Sequence, residues 1–168
     1  MKTAHKQFWN DLRSGVFVSM VKEAAKGESL CNPRDVYNVL KPLFAEKDDV
    51  ETLYGIFMTG QNRILTIEKL FTGSIGSSPV YPREIVKMVL KHKAAALVIA
   101  HNHPSGETKP SAEDHRITCK VYAALKTIDA TLLDHIIVGD DFYSFADAGV
   151  LESIKDQYQT WQGIKFPF

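Results

Sequence analysis

Residues 101–114 of this 168-residue chain read HNHPSGETKPSAED. His101 and His103 stand two positions apart at the end of an apolar run, and Ser111 and Asp114 follow a turn rich in proline and glycine. Imidazole nitrogens and a carboxylate are ligands that a divalent ion such as zinc accepts, and a hydroxyl beside them adds a hydrogen-bond donor. Side chains alternate along a strand, so Leu97, Ile99, His101 and His103 share one side of it. Pro104 closes that strand, leaving the two imidazoles at its carboxyl end, where α/β sheets place their ligands. Asp114 lies three residues before Ile117 and seven before Val121, on the apolar face of the helix that Ser111 opens. A carboxylate turned toward a core is costly unless a cation neutralises it. Two histidines and one aspartate supply three ligands and leave a fourth tetrahedral position to water, the open arrangement of a catalytic zinc site. The same residues also have a plain structural explanation. SAED is close to a capping box with Ser111 at N-cap and Asp114 at N3, and histidines also occur in ordinary turns.

The elements that must position these groups follow from periodicity. A helix is expected over Arg34–Ala45 after Asn32-Pro33, and a β-hairpin over 50–59 and 63–71, where β-formers flank GQN. GSIGSSPVYP (73–82) reads as a loop, and Pro82 starts a helix over Arg83–His92 with Ile85, Met88 and Val89 on one face. AAALVIAH (94–101) is a buried strand, residues 111–128 are a helix, TLLDHIIVG (131–139) and FYSF are strands, and a last helix begins near Asp147. Strands interleaved with helices make an α/β fold, a mixed sheet flanked by helices.

Composition narrows the partners. Twenty basic residues balance twenty acidic ones, so nothing favours a polyanion as the main partner. The cysteines, Cys31 and Cys119, fit no paired metal or redox spacing and suggest free thiols in a reducing compartment. Val16–Val21 is too short for a signal h-region and no run reaches the ~20 residues of a membrane span, so a cytoplasmic protein without a membrane partner is expected.

The pattern His-x-His, seven residues, Ser-x-x-Asp resembles the JAMM metalloprotease motif. YPREIVKMVL, HNHPSG, LLDHIIVG and YSFADAGVL resemble the RadC-like branch of that superfamily, over roughly Cys31 to Leu151. The resemblance implies a single JAMM domain of cytidine-deaminase-like fold over 31–151, with residues 1–30 as a helical extension and 152–168 as a C-terminal tail. A helix-hairpin-helix segment, which RadC relatives often carry, is not expected in the thirty residues ahead of Cys31. The resemblance also implies one Zn2+ per chain held by His101, His103 and Asp114, with Glu51 as general base for an attack of water on an amide. The implied substrate is a peptide or an isopeptide-linked protein. Alternation puts Glu51 on the face of Leu53 and Phe57. From the residues alone, Glu51 is not separable from Glu46, Asp48 and Asp49 beside it, and Glu84 is a rival carboxylate. Ser111 lacks a base that would make it a nucleophile and is better cast as a donor to a developing oxyanion.

Other residues invite weaker readings. His135 alternates onto the face of Leu133 and Ile137 and reads as a hydrogen-bonded core histidine, while Asp134 faces the other way and could anchor a neighbouring backbone. His115 is turned about 100° from Asp114 and Cys119 reads as packing. Asn102, Ser105 and Gly106 read as turn-formers. Arg83, Lys87 and Lys91 form a basic stripe, the best support for a nucleic-acid contact. Two other functions compete with the peptidase: a metal-dependent DNA-associated protein, consistent with the repair label of the RadC branch, and a non-catalytic zinc-binding module. The WQGIKFPF end reads as packing on its own domain, and the sequence sets no oligomeric state.

Overall fold

The computed structural model describes residues 15–44, 50–73 and 81–162. Among these residues five helices and five strands follow in order: α1 (Val16–Ala25), α2 (Pro33–Phe44), β1 (Thr52–Met58), β2 (Ile64–Thr72), α3 (Pro82–His92), β3 (Ala96–Asn102), α4 (Ala112–Lys126), β4 (Thr131–Val138), β5 (Phe142–Ser144) and α5 (Val150–Gln162). The strands form one mixed sheet in the order β2-β1-β3-β4-β5, with β3 and β4 parallel and every other pair antiparallel. The expected α/β architecture, a mixed sheet flanked by helices, is therefore the observed one. The 73–82 loop falls largely on residues 74–80, and the N-terminal residues 1–14, the acidic neighbours Glu46, Asp48 and Asp49, and the 163–168 end also lie outside the described residues.

Alternation along the strands builds two cores. Tyr54, Ile56, Met58, Ala96, Val98, Ala100, Ile136 and Val138 turn to one face, where α1 and α2 cover them with Ala25, Val36, Leu40 and Leu43. Leu53, Phe57, Leu97, Ile99 and Leu132 turn to the other, under Ile85 and Val89 of α3, Ile117, Val121 and Leu125 of α4, and Leu151 and Ile154 of α5. Burying each such side chain contributes roughly 1.5–3 kcal/mol, so both layers hold the sheet firmly. Helix α5 runs through the boundary expected at 151/152, with Leu151 and Ile154 buried on either side of it.

One irregularity bears on the site. The β3–β4 register pairs Leu97 with Leu132 but Val98 with Asp134, so Leu133 is an extra residue in β4. Such a bulge shifts every later side chain by one position. His135 then pairs with Ile99 and Ile137 with His101, on the second face. Leu133 packs instead against the first core. Strict alternation groups His135 with Leu133, and the bulge separates them. In an unbroken register Asp134 would lie beside Ile99, and His135 would face α1 and α2.

Candidate metal centre

β3 carries His101 into the second core at 0% exposure, and the chain leaving the strand brings His103 back to it. That return is built by backbone contacts between neighbouring loops. His103 N donates to Val138 O at 2.9 Å, Gly106 N to His103 O at 2.9 Å, and Asp140 N to Gly106 O at 3.0 Å. Gly139 lies so close to this turn that a Cβ on it would stand 2.2 Å from Gly106 O, an approach open only to glycine. Gly106 itself has φ 80°, which agrees with its reading as a turn residue.

α4 supplies the third group. Ser111 is its N-cap: Ser111 Oγ accepts from Asp114 N at 3.1 Å, and Ser111 N donates to Asp114 Oδ2 at 2.7 Å. The Ser111 hydroxyl also donates to Oδ2, at 2.6 Å. This capping box fixes Asp114, 2% exposed, with Oδ1 turned to His101. His101 Nε2 lies 2.9 Å from His103 Nε2 and 3.1 Å from Asp114 Oδ1, and His103 Nε2 lies 3.7 Å from Asp114 Oδ2. One ligand atom from each residue falls within a 4.8 Å cluster, the arrangement that lets this group hold a metal ion. His115 stands outside it, packed on Phe145 at 5.1 Å between ring centroids.

Electrostatics agree with a cation site. Burial pushes the Asp114 carboxyl up, but hydrogen bonds from His101, His103 and Ser111 outweigh it and hold the group well below the usual carboxylate range. His103 is pushed above its ordinary value, first by its hydrogen bond with Asp114, with burial opposing and the Glu107 carbonyl and the Glu51 charge assisting. Three electron-rich groups facing one point require a cation there, a proton or a metal.

Sequence reasoning missed two partners of these groups. Asn102, read as a turn residue, is the last residue of β3 and 5% exposed. Its Oδ1 accepts from Thr52 N at 2.7 Å and its Nδ2 donates to Val50 O at 3.2 Å, so one amide clamps the chain on both sides of Glu51. Its place between the two histidines was the available signal. His135, read as a core histidine, is buried and lies 2.9 Å from His101 Nδ1 through its Nε2. No local pattern announces that contact, because the bulge creates it.

Glu51 precedes β1, half-buried, and its carbonyl accepts from Gly73 N at 2.9 Å. Its rival Glu84 is exposed on α3 and ion-paired to Lys87 at 3.0 Å and Arg83 at 3.4 Å. Those pairs also neutralise two of the three cations in the basic stripe on that helix. Cys119 is exposed, which corrects its reading as packing: its position on α4 turns it from the face that Ile117 and Val121 bury. Cys31 is likewise exposed and both thiols are free. Asp134 accepts from the backbone N–H groups of His135 and Ala146, as an anchor would.

Over residues 30–150 the chain matches the RadC-like JAB domain. The chain belongs to that family. It is 40% identical over 134 residues to a UPF0758 protein of Thiobacillus denitrificans, covering 79% of this chain and 59% of that protein. It is 43% identical over 126 residues to a UPF0758 protein of Chromobacterium violaceum, covering 74% and 56%. The chain thus spans under three fifths of the length of these relatives. Family and ligand geometry together support a metal-dependent, hydrolase-like RadC-like JAB domain. Among its described residues no helix is long and apolar enough to cross a membrane.

Proposed function

We propose that this RadC-like JAB domain is a zinc-dependent peptidase or isopeptidase in which His101, His103 and Asp114 hold the ion and Glu51 acts as general base. The observation that carries the reading is the convergence of the three ligand groups at one buried point. Zn–N bonds of ~2.0–2.1 Å in a tetrahedron separate ligand atoms by roughly 3.3–3.4 Å. The His101–His103 and His101–Asp114 Oδ1 separations, 2.9 and 3.1 Å, lie close to that value. Three protein ligands leave one position open, which suits catalysis better than a closed structural site.

A bound zinc ion supplies Lewis acidity and lowers the pKa of its water toward ~7. The chain's own residues do the rest. Glu51, held by the Asn102 clamp, takes a proton from the attacking water and returns it to the departing amine. Ser111 orients Asp114 through the capping box, and its hydroxyl proton, which rests on Asp114 Oδ2, turns to the carbonyl oxygen as charge develops there. Peptide or isopeptide-linked proteins are the proposed substrates. The exposed free thiols of Cys31 and Cys119 support the cytoplasm as the compartment.

The purified protein is expected to hold about one zinc per chain by elemental analysis, lost in the His101→Ala/His103→Ala variant. Glu51→Gln should retain the ion while amide hydrolysis falls by at least about 10²–10⁴-fold. Undiminished cleavage in Glu51→Gln removes Glu51 from the mechanism. A folded wild-type protein that fails to take up added zinc removes the whole reading.

A further inference from the structure

We infer that His135 and Thr118 are positioning residues that lock His101 in the tautomer presenting its Nε2 lone pair to the metal. The inference rests on the zinc reading above and extends it beyond the three ligands. It stands on a run of buried contacts. Thr118 Oγ1 donates to the Asp114 carbonyl at 2.5 Å, which commits its single proton. The same oxygen lies 2.7 Å from His135 Nδ1 and must therefore act there as acceptor, so His135 carries its proton on Nδ1. His135 Nε2 is left with a bare lone pair, 2.9 Å from His101 Nδ1. His101 then donates from Nδ1, and its Nε2 lone pair is free to face His103 and Asp114. Each step in the relay dictates the next.

His135 can hold that role because both ring nitrogens are engaged, Nδ1 by Thr118 and Nε2 by His101, and the ring is 0% exposed. Phe145 stacks on its ring at 4.8 Å and 20°, fixing the ring plane. A neutral acceptor behind His101 differs from the carboxylate that often supports a metal-bound histidine. It orients the ring without adding negative charge, so the bound ion keeps more of its Lewis acidity. The relay also closes a loop: Thr118 stands one helical turn after Asp114 on α4, so it ties two ligands on different elements into one frame. His103 has its own, simpler support, with Nδ1 2.7 Å from the Glu107 carbonyl. That oxygen can only accept, so His103 too presents Nε2.

The test is zinc affinity of the metal-free protein, measured with a competing chelator, beside imidazole ¹⁵N shifts and thermal unfolding. His135→Phe, which fills the volume without an acceptor, should bind zinc about 10–100-fold more weakly. His135→Gln, whose side-chain oxygen can accept from His101 Nδ1, should recover most of that loss. Thr118→Val, close to isosteric and remote from the ion, should weaken zinc by about tenfold and give His135 a mixture of tautomers. In the wild type the shifts should show His135 protonated on Nδ1 alone. Equal zinc affinity in His135→Phe and wild type, or equal loss in the Phe and Gln variants, overturns the inference. So does a His135 protonated on Nε2. Failure of the wild type itself to bind zinc strikes the proposed function, which separates the two results.

Discussion

The sheet presses a buried carboxylate against each of its faces, and the two are satisfied in different ways. Asp134, paired in register with Val98 on the α1–α2 side, accepts from His135 N at 2.7 Å, Ser144 Oγ at 2.6 Å and Ala146 N at 2.9 Å. All three donors belong to its own strand or to the segment just after it. Burial pushes its carboxyl above the usual range, and the hydrogen bonds only partly offset that. Asp114, on the other face, places both of its chain donors, Ser111 N and Oγ, on Oδ2 and leaves Oδ1 to face His101. Its carboxyl is held well below the usual range despite burial. A carboxylate saturated by nearby donors holds a fold together. One that keeps an oxygen turned toward imidazoles is arranged for a cation.

The sharpest way to break this comparison is to neutralise each group in turn. Asp114→Asn should abolish zinc binding, whereas Asp134→Asn should keep full zinc content and lower stability by about 1–3 kcal/mol in urea unfolding, because an amide N–H₂ would replace the oxygen that accepts from Ser144 Oγ. Loss of zinc in both variants would erase the distinction between the two faces. A smaller effect sharpens it through pH. In the metal-free protein His103 has a raised pKa, so it carries a proton below a point that lies above 6.5. Zinc must displace that proton, so its affinity should be flat above this point and fall about tenfold per pH unit below it. Asp134→Asn should leave the profile unmoved, and titration calorimetry at several pH values reads both. The smallest effect concerns the capping box. Ser111→Ala should cost about 1 kcal/mol of stability, the usual value of a lost N-cap. A cost near zero would mean that α4 holds Asp114 without Ser111.

Much of the metal centre was legible from the chain alone because its parts are local. The period of two through ALVIAHNH puts both histidines on one side, and the 3.6-residue period from Asp114 to Val121 puts the carboxylate on a buried face. Capping chemistry spans three residues, so SAED announces its own geometry. Glu51 was nominated only through family resemblance, since nothing local separates it from its acidic neighbours. What the tertiary structure decided depends on contacts across dozens of residues. Asn102 reaches Val50 and Thr52 because β1 pairs with β3, and His135 reaches His101 because an extra Leu133 shifts β4 by one place. A bulge is chosen by how two strands pack under the same helices, and that competition leaves no mark in the periodicity of either strand. The three candidate ligands are thus written in the sequence, and the groups that contact them are placed by the fold.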